Sequence, residues 1–265
     1  MPEVHLKEGR LQMPDYQATI NLDFFVRRCK AAIQSRLHDL HLALNAHETG
    51  VAASMGAQFK ANSGITISVT APDDSAALQN AFQNALLGAN RDFTRYCEEL
   101  MAIREITSEG LKSITEEMSG IPLNEVVSRM IDERAVEIGQ NPKIKAPDKI
   151  KQFLAPSDPA LPIAESHIQL RNCIEHHYGT PKTDISVIAY SLSMNVPIGG
   201  VLKAGEALSV GFQKRIIKYP AKKRILFQYD DVKDIITTTE QVLLRAVHKA
   251  MLASRPTAAV QGQSP

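Results

Sequence analysis

Reactive side chains crowd into one short stretch of this 265-residue chain, between Leu170 and Gly179. The stretch carries Arg171, Asn172, His176 and His177. An arginine is a permanent cation whose planar fork matches phosphate oxygens, and a histidine titrates near neutrality and moves protons at physiological pH. Together they suit a phosphodiester. A histidine deprotonates a ribose 2′-hydroxyl or protonates the leaving oxygen, while the arginine stabilises charge on the phosphoryl group, and no metal is required.

The spacing of these residues limits how a single helix can use them. At about 100° per residue, Asn172 and His176 share a face, whereas Arg171 and His176 stand about 140° apart. Both can reach one atom if the arginine side chain bends round the helix, if the helix frays before Gly179, or if two copies of the segment face each other across a dimer. His177 also satisfies the spacing, so the choice between the two histidines stays open.

The spacing alone is not specific, because Arg36 and His41 repeat it elsewhere in the chain. A purely structural interpretation also exists for the first copy. Arg171 would pair with a nearby carboxylate, and the two histidines would lie at the negative end of a helix dipole.

The residues around the spacing are more specific than the spacing itself. The segment L-R-N-C-I-E-H-H-Y-G resembles the signature of the HEPN (higher eukaryotes and prokaryotes nucleotide-binding) superfamily. In that signature an arginine, often followed by asparagine, precedes a histidine in the late helix of a bundle. Arg36 and His41 lack this context.

The resemblance implies a dimeric α-helical bundle and a metal-independent endoribonuclease, with RNA as substrate, in a toxin or antiviral defence setting. An antitoxin or defence partner is part of the same expectation. By the resemblance, Arg171 and His176 take the catalytic positions and Asn172 the neighbouring polar one. Because some members of the superfamily are inactive, the alternative is a catalytically silent helical interaction or dimerisation module.

Composition argues against several other classes of protein. The formal charge is +1, from 30 basic and 29 acidic residues, so no global field draws the chain to nucleic acid or membrane. No apolar run reaches the roughly 18 residues of a membrane span, and the N-terminus has no signal-peptide pattern. The three cysteines are far apart, and no phosphate-binding loop or nucleotide-binding glycine motif is present. The sequence therefore predicts a cytoplasmic protein that contacts no membrane and has neither a metal site nor a cofactor.

Apolar residues at three- and four-residue spacing predict the elements that position this stretch. The predicted fold class is mainly α, a helical bundle with a small β-hairpin or sheet addition. The predicted helices run from Asn21 to Gly50, from Asp74 onward with Gly88 and Gly110 as breaks or bends, from Asn124 to Gly139, around 148–154, from Ile163 to Tyr178, and from Asp231 onward.

Alternating, β-branched segments predict the strands. Residues 65–70 form one, with a partner expected near the C-terminus, and residues 185–190 form another. A hairpin is predicted between 208–219 and 224–229. Its basic residues would track an RNA backbone or, alternatively, form a solvated edge that prevents aggregation. They are Lys214, Arg215, Lys218, Lys222, Lys223 and Arg224.

The predicted organisation has three parts. Residues 1–74 form an N-terminal helix with a strand segment, residues 75–254 form the helical HEPN-like domain with the hairpin inserted, and residues 255–265 form a flexible tail.

Overall fold

Helices make up most of the fold. The computed structural model describes residues 6–7, 10–11, 22–49, 57–60, 66–69, 74–109, 123–195 and 209–253. Its helices are α1 (Leu22–Glu48), α2 (Asp74–Glu109), α3 (Leu123–Gln140), α4 (Ala146–Lys151), α5 (Leu161–His177) and α6 (Tyr229–Ala253). The predicted class, mainly α with a small β addition, is confirmed. None of the helices in these ranges is long and apolar enough to cross a membrane.

The strands of the described residues form separate antiparallel pairs. They are β1 (Leu6–Lys7) with β2 (Arg10–Leu11), β3 (Ala57–Lys60) with β4 (Thr66–Val69), and β5 (Ile185–Asn195) with β6 (Ser209–Tyr219). In the longest pair the register matches Ile185 with Tyr219.

Two predictions of strand pairing are wrong. The strand near residue 66 pairs with β3, its neighbour in sequence, rather than with a segment near the C-terminus. The segment 224–229 forms no strand, and β6 pairs with β5 instead. The absence of a strand at 224–229 has a physical reason at Phe227. The side-chain amide of Gln79 on α2 donates to the carbonyl oxygen of Phe227 at 2.9 Å and accepts from the N–H of Phe227 at 2.8 Å. This satisfies the backbone of Phe227 without a sheet partner.

The core of the bundle lies where α1, α2 and α6 meet. On α1, Phe25, Cys29, Ile33 and Leu40 are buried at helical spacing. The same core includes the buried residues of α5 and β5, so the elements around residue 171 rest on the whole bundle. The three-part division predicted from sequence stays a prediction, and its tail, 255–265, lies outside the described residues.

Strand β5 is paired on both edges, although only one partner is a strand. On the edge away from β6, the N–H of Ile188 donates to Ser166 Oγ at 3.2 Å, and the N–H of Tyr190 donates to Thr238 Oγ1 at 2.7 Å. His167 Nε2 lies 2.8 Å from the carbonyl oxygen of Ile188, and since a carbonyl only accepts, the imidazole donates. These side chains of α5 and α6 close an edge that would otherwise be open, and they fix α5 against the sheet.

The start of α5 is also held by α6. Asp158 accepts hydrogen bonds from the N–H of Ala160 at 2.9 Å and from Arg245 Nε of α6 at 2.7 Å. These bonds keep the pKa of the Asp158 carboxyl below its usual range, although burial opposes the shift. Pro162 lies in the first turn of α5, where its missing N–H costs nothing.

Candidate functional site at the end of α5

Arg171 lies on the side of α5 that faces α2. Its guanidinium donates to Glu175 at 2.6 Å, one helical turn along, and to Asn172 Oδ1 at 3.1 Å. Arg91 of α2 approaches the other oxygen of Glu175 at 3.7 Å. Two guanidinium groups from two helices therefore converge on one carboxylate beside the predicted catalytic residues.

The two histidines have different surroundings. His176 is exposed on the solvent-facing stripe of α5 that also carries Asn172, whereas His177 is half-buried and lines a surface concavity. Arg171, on the α2 side, stands about 140° round the helix from His176, as the helical repeat requires. Within one chain, the predicted arginine and histidine thus lie on different, widely separated faces of the same helix end.

The chain reverses sharply directly after the histidines. Tyr178 adopts the left-handed conformation at φ 51°, and Gly179 follows at φ 71°. Glycine tolerates this region, but tyrosine does so at a cost of about 1–2 kcal/mol. The N–H of Gly179 returns to the carbonyl oxygen of Cys173 at 3.2 Å. The side chain of Tyr178 projects outward and is 86% exposed.

A basic turn, residues 222–224, is attached to this reversal by backbone hydrogen bonds. The N–H of Lys222 donates to the carbonyl oxygen of Pro181 at 2.7 Å, and the N–H of Ile225 donates to that of Gly179 at 2.8 Å. The N–H of Ala221 also donates to Asp184 Oδ1 at 2.7 Å. The basic turn consists of Lys222, Lys223 and Arg224, all exposed. Three cations therefore lie next to the end of α5.

The structure divides the six basic residues of the predicted hairpin into three groups. Lys222, Lys223 and Arg224 form the basic turn. Lys214 and Lys218 are exposed on β6. Arg215 points the other way, towards α6, where it binds Asp234 and, at 2.8 Å, Asp231. The hydrogen bond to Asp234 is the main cause of a raised pKa for Arg215. This guanidinium is already used to hold β6 on α6.

The concavity lined by His177 runs along α5 and has a volume of about 310 Å³. Its base is apolar, because the buried side chains of Ile168, Cys173 and Ile185 contribute to it. The exposed amides of Gln169 and Asn172 stand at its rim. The other lining residues are Pro147, Glu165, His177, Pro181, Lys182 and Thr183.

The second copy of the spacing occupies a different setting. Arg36 Nε on α1 donates to Asp92 on α2 at 2.9 Å, and this bond is the main cause of a raised pKa for Arg36. A Cβ at Gly88 would stand 2.8 Å from Arg36 Nε, so the glycine makes room for the arginine to cross α2. Gly88 does not interrupt the helix. Arg36 therefore joins two helices.

The cysteine inside the stretch is part of the packing. Cys173 is buried, and burial raises the pKa of its thiol. The thiol is therefore protonated and a poor nucleophile at neutral pH. Within the described ranges, no group of three His, Cys, Asp or Glu side chains is arranged to hold a metal ion.

Comparison with known proteins adds no relative. The chain matches no protein-family model, and neither curated proteins nor solved structures give a match. The resemblance of the 170–179 segment to the HEPN signature therefore rests on the segment itself.

Sequence reasoning missed several residues of this site. The structural interpretation anticipated a carboxylate partner for Arg171 but did not name Glu175, although the i, i+4 spacing favours this ion pair. Gln169 follows from the same helical repeat as Asn172 and His176. Arg91 and Lys182 carried no such signal, because only the packing of α2 and the reversal after α5 bring them to the site.

Proposed function

We propose that this chain is a metal-independent endoribonuclease whose catalytic residues lie at the C-terminal end of α5. The observation that carries the proposal is the attachment of the basic turn to residues 179–181, directly after the two histidines. Groups that transfer protons and exposed cations come from segments that are distant in sequence, yet they adjoin one another. A phosphodiester needs both kinds of group.

The proposed reaction is attack by the ribose 2′-hydroxyl on the adjacent phosphorus. His176 takes the 2′-hydroxyl proton, the 2′-oxygen bonds to phosphorus, and the bond to the 5′-oxygen breaks. The 5′-oxygen leaves with a proton from an acid, for which His177 is the nearest candidate in sequence. The products are a 2′,3′-cyclic phosphate and a 5′-hydroxyl. Arg171 stabilises the charge that gathers on the phosphoryl oxygens.

Arg171 is held loosely enough to take this role. Its partner Glu175 is on the same helix, and a partly exposed i, i+4 pair contributes only about 0.3–0.5 kcal/mol. A phosphate offers a comparable bidentate acceptor, so the exchange of partners costs little. Arg91 remains beside Glu175 when Arg171 moves. The carboxylate is not left without a cation.

The angle between Arg171 and His176 favours a site shared by two copies of the chain. Two α5 ends related by a two-fold axis would bring the arginine of one copy to the histidine of the other. An equal mixture of Arg171→Ala and His176→Ala chains then regains about a quarter of wild-type activity, because half of the dimers are mixed and each mixed dimer holds one complete site. Activity no greater than that of the separate variants contradicts the shared site.

A second candidate function is a catalytically silent interaction module. Phe212 and Ile216, four residues apart on the same face of β6, are 56% and 57% exposed and together offer an apolar surface to a partner. In this case Arg171 serves only its ion pair with Glu175. The module predicts that Phe212→Ser with Ile216→Ser abolishes dimer formation while no RNA is cleaved by the wild type.

The test of the nuclease is an RNA-cleavage assay with EDTA present. The wild type cleaves RNA and leaves 2′,3′-cyclic phosphate ends, whereas Arg171→Ala and His176→Ala cleave far more slowly although both variants still unfold cooperatively, as a folded protein does. The proposal is overturned if the wild type cleaves none of a varied set of RNAs, or if the wild type and both variants cleave equally. A toxin or antiviral defence setting, and an antitoxin or defence partner, follow from the HEPN resemblance. Relief of growth inhibition in bacteria by the same substitutions tests that part.

A further inference from the structure

We infer that the concavity along α5 is a base-binding subsite, which holds the nucleotide next to the cleaved phosphate and makes the enzyme selective for one base. The inference rests on the proposed function, since it assigns the substrate to single-stranded RNA with a base turned out of the stack. The binding residues are Gln169 and Asn172 at the rim, with Lys182 nearby.

The position of the concavity is the first argument. Asn172 and His177 belong both to its lining and to the proposed catalytic segment. A nucleotide whose phosphate lies at the histidines therefore has its ribose and base within reach of the concavity. The depression extends along α5 for three turns, from His177 back to Glu165.

The chemistry of the lining is the second argument. Ile168, Cys173 and Ile185 give an apolar surface on which a flat ring can lie. Each of the amides Gln169 and Asn172 carries both donors and acceptors, the combination that reads a base edge. Arg171 donates to Asn172 Oδ1 at 3.1 Å, so the NH₂ group of the same amide is the part that can donate to a base edge.

Charge and size are the third argument. Lys182 is exposed at the rim, and Glu165 at the far end is paired with Lys151 at 3.1 Å. The carboxylate therefore repels an anionic ligand less than a free one would. A volume of about 310 Å³ lies at the lower end of the range of small-molecule sites, which is roughly 300–1,000 Å³. The size is therefore that of a site for one small molecule.

The subsite is tested with the four nucleoside 3′-monophosphates, titrated into the full-length protein and followed by calorimetry. One of the four binds about tenfold more tightly than the others, as expected for one additional base-edge hydrogen bond. Gln169→Ala removes the preference, and Gln169→Trp fills the concavity and abolishes binding. Gln241→Ala is the matched control, because Gln241 is an exposed glutamine on α6. It leaves binding unchanged.

A second readout separates this inference from the nuclease itself. Sequencing of the ends produced from a randomised RNA shows a base preference in the wild type that Gln169→Ala weakens by about tenfold. Cleavage with a preference that neither Gln169 variant alters overturns the subsite and leaves the nuclease intact. Base-selective monophosphate binding that Gln169→Trp abolishes, in a protein that cleaves nothing, supports the subsite and refutes the nuclease. If none of the four monophosphates binds, the subsite is overturned.

Discussion

The chain contains the same arginine–histidine spacing twice, and the two copies differ in what the arginine holds. Arg36 crosses from α1 to α2, passes over Gly88 and binds Asp92. Arg171 binds a carboxylate of its own helix, next to the exposed His176, the half-buried His177 and the basic turn. The first arginine joins two helices, whereas the second pairs within its own helix, and Arg91 also approaches the carboxylate of that pair. The local setting, and not the spacing, distinguishes a structural pair from a candidate catalytic one.

The largest expected effect separates the histidines. His176→Ala lowers the rate of RNA cleavage by about 10²–10⁴-fold, the usual contribution of one acid or base group, while His41→Ala leaves it unchanged. Single-turnover rates measured with EDTA present give the comparison. His177→Ala settles the choice between neighbours: a larger loss for His177→Ala than for His176→Ala assigns the base to His177.

The next effect concerns a third histidine, His167, which is buried on the same helix. Burial lowers the pKa of His167 to about 4, from an ordinary value of 6.5, so the unfolded chain takes up the proton at higher pH than the folded one. The stabilisation by neutral His167 is complete above pH 6.5 and is lost as pH falls towards 4, by about 3 kcal/mol in all.

Urea unfolding between pH 7 and pH 4 measures this loss. His167→Gln is the reference, because it lacks the titrating group while the carboxylates that titrate in the same range remain. The wild type loses more stability than the variant over that interval. Parallel curves for the two proteins contradict a buried, neutral His167.

A smaller effect separates the two arginines by stability. Arg36→Ala leaves the half-buried Asp92 without its cation and costs about 1–2 kcal/mol, because a carboxylate beside the helix contact loses its donor. Arg171→Ala removes only a pair within one helix and costs under about 1 kcal/mol. Free energies of unfolding from denaturant titrations are compared. If Arg171→Ala lowers the free energy of unfolding more than Arg36→Ala does, Arg171 and not Arg36 is the structural arginine, and the comparison fails.

The smallest effect separates two exposed lysines. RNA binding by the inactive His176→Ala protein is measured as a function of salt, with Lys223→Gln in the basic turn and Lys214→Gln on β6. Tyr219 ends β6 shortly before the basic turn, and Lys214 lies about 17 Å from it along the strand, because a strand rises about 3.3 Å per residue. Salt screens charges beyond about 10 Å, so Lys214 is too far away to attract RNA that is bound at the basic turn. We expect the salt slope to fall by about 0.7 for Lys223→Gln, as for one lost phosphate contact, and to stay unchanged for Lys214→Gln. Equal salt slopes for the two variants would show that the basic turn does not contact the RNA.

Much of this fold followed from local patterns in the sequence. Apolar spacing predicted α1, α3, α5 and α6 close to their observed limits, because amphipathic helices are determined by residues three and four apart. Strand pairing was predicted poorly. Nothing near Phe227 indicates that Gln79, far away in sequence, satisfies its backbone, and without that contact residues 224–229 have the composition of a strand.

The candidate site shows the same limit. Arg171, Asn172, His176 and His177 were identified from their types and spacing within one helix. The distribution of the basic residues was not, since β6 alternates between faces and the pairing of Arg215 with Asp231 and Asp234 depends on the position of α6. Pairing with β5, visible only in the structure, decides which side of β6 faces the bundle.

The most direct measurement is the cleavage of one RNA, with EDTA present, by the wild type and two double variants, all verified as folded. We predict that Arg36→Ala with His41→Ala cleaves at close to the wild-type rate, and that Arg171→Ala with His176→Ala is slower by at least about 100-fold. A wild type that cleaves no RNA, or two double variants of equal activity, contradicts the assignment of the end of α5 as a ribonuclease site.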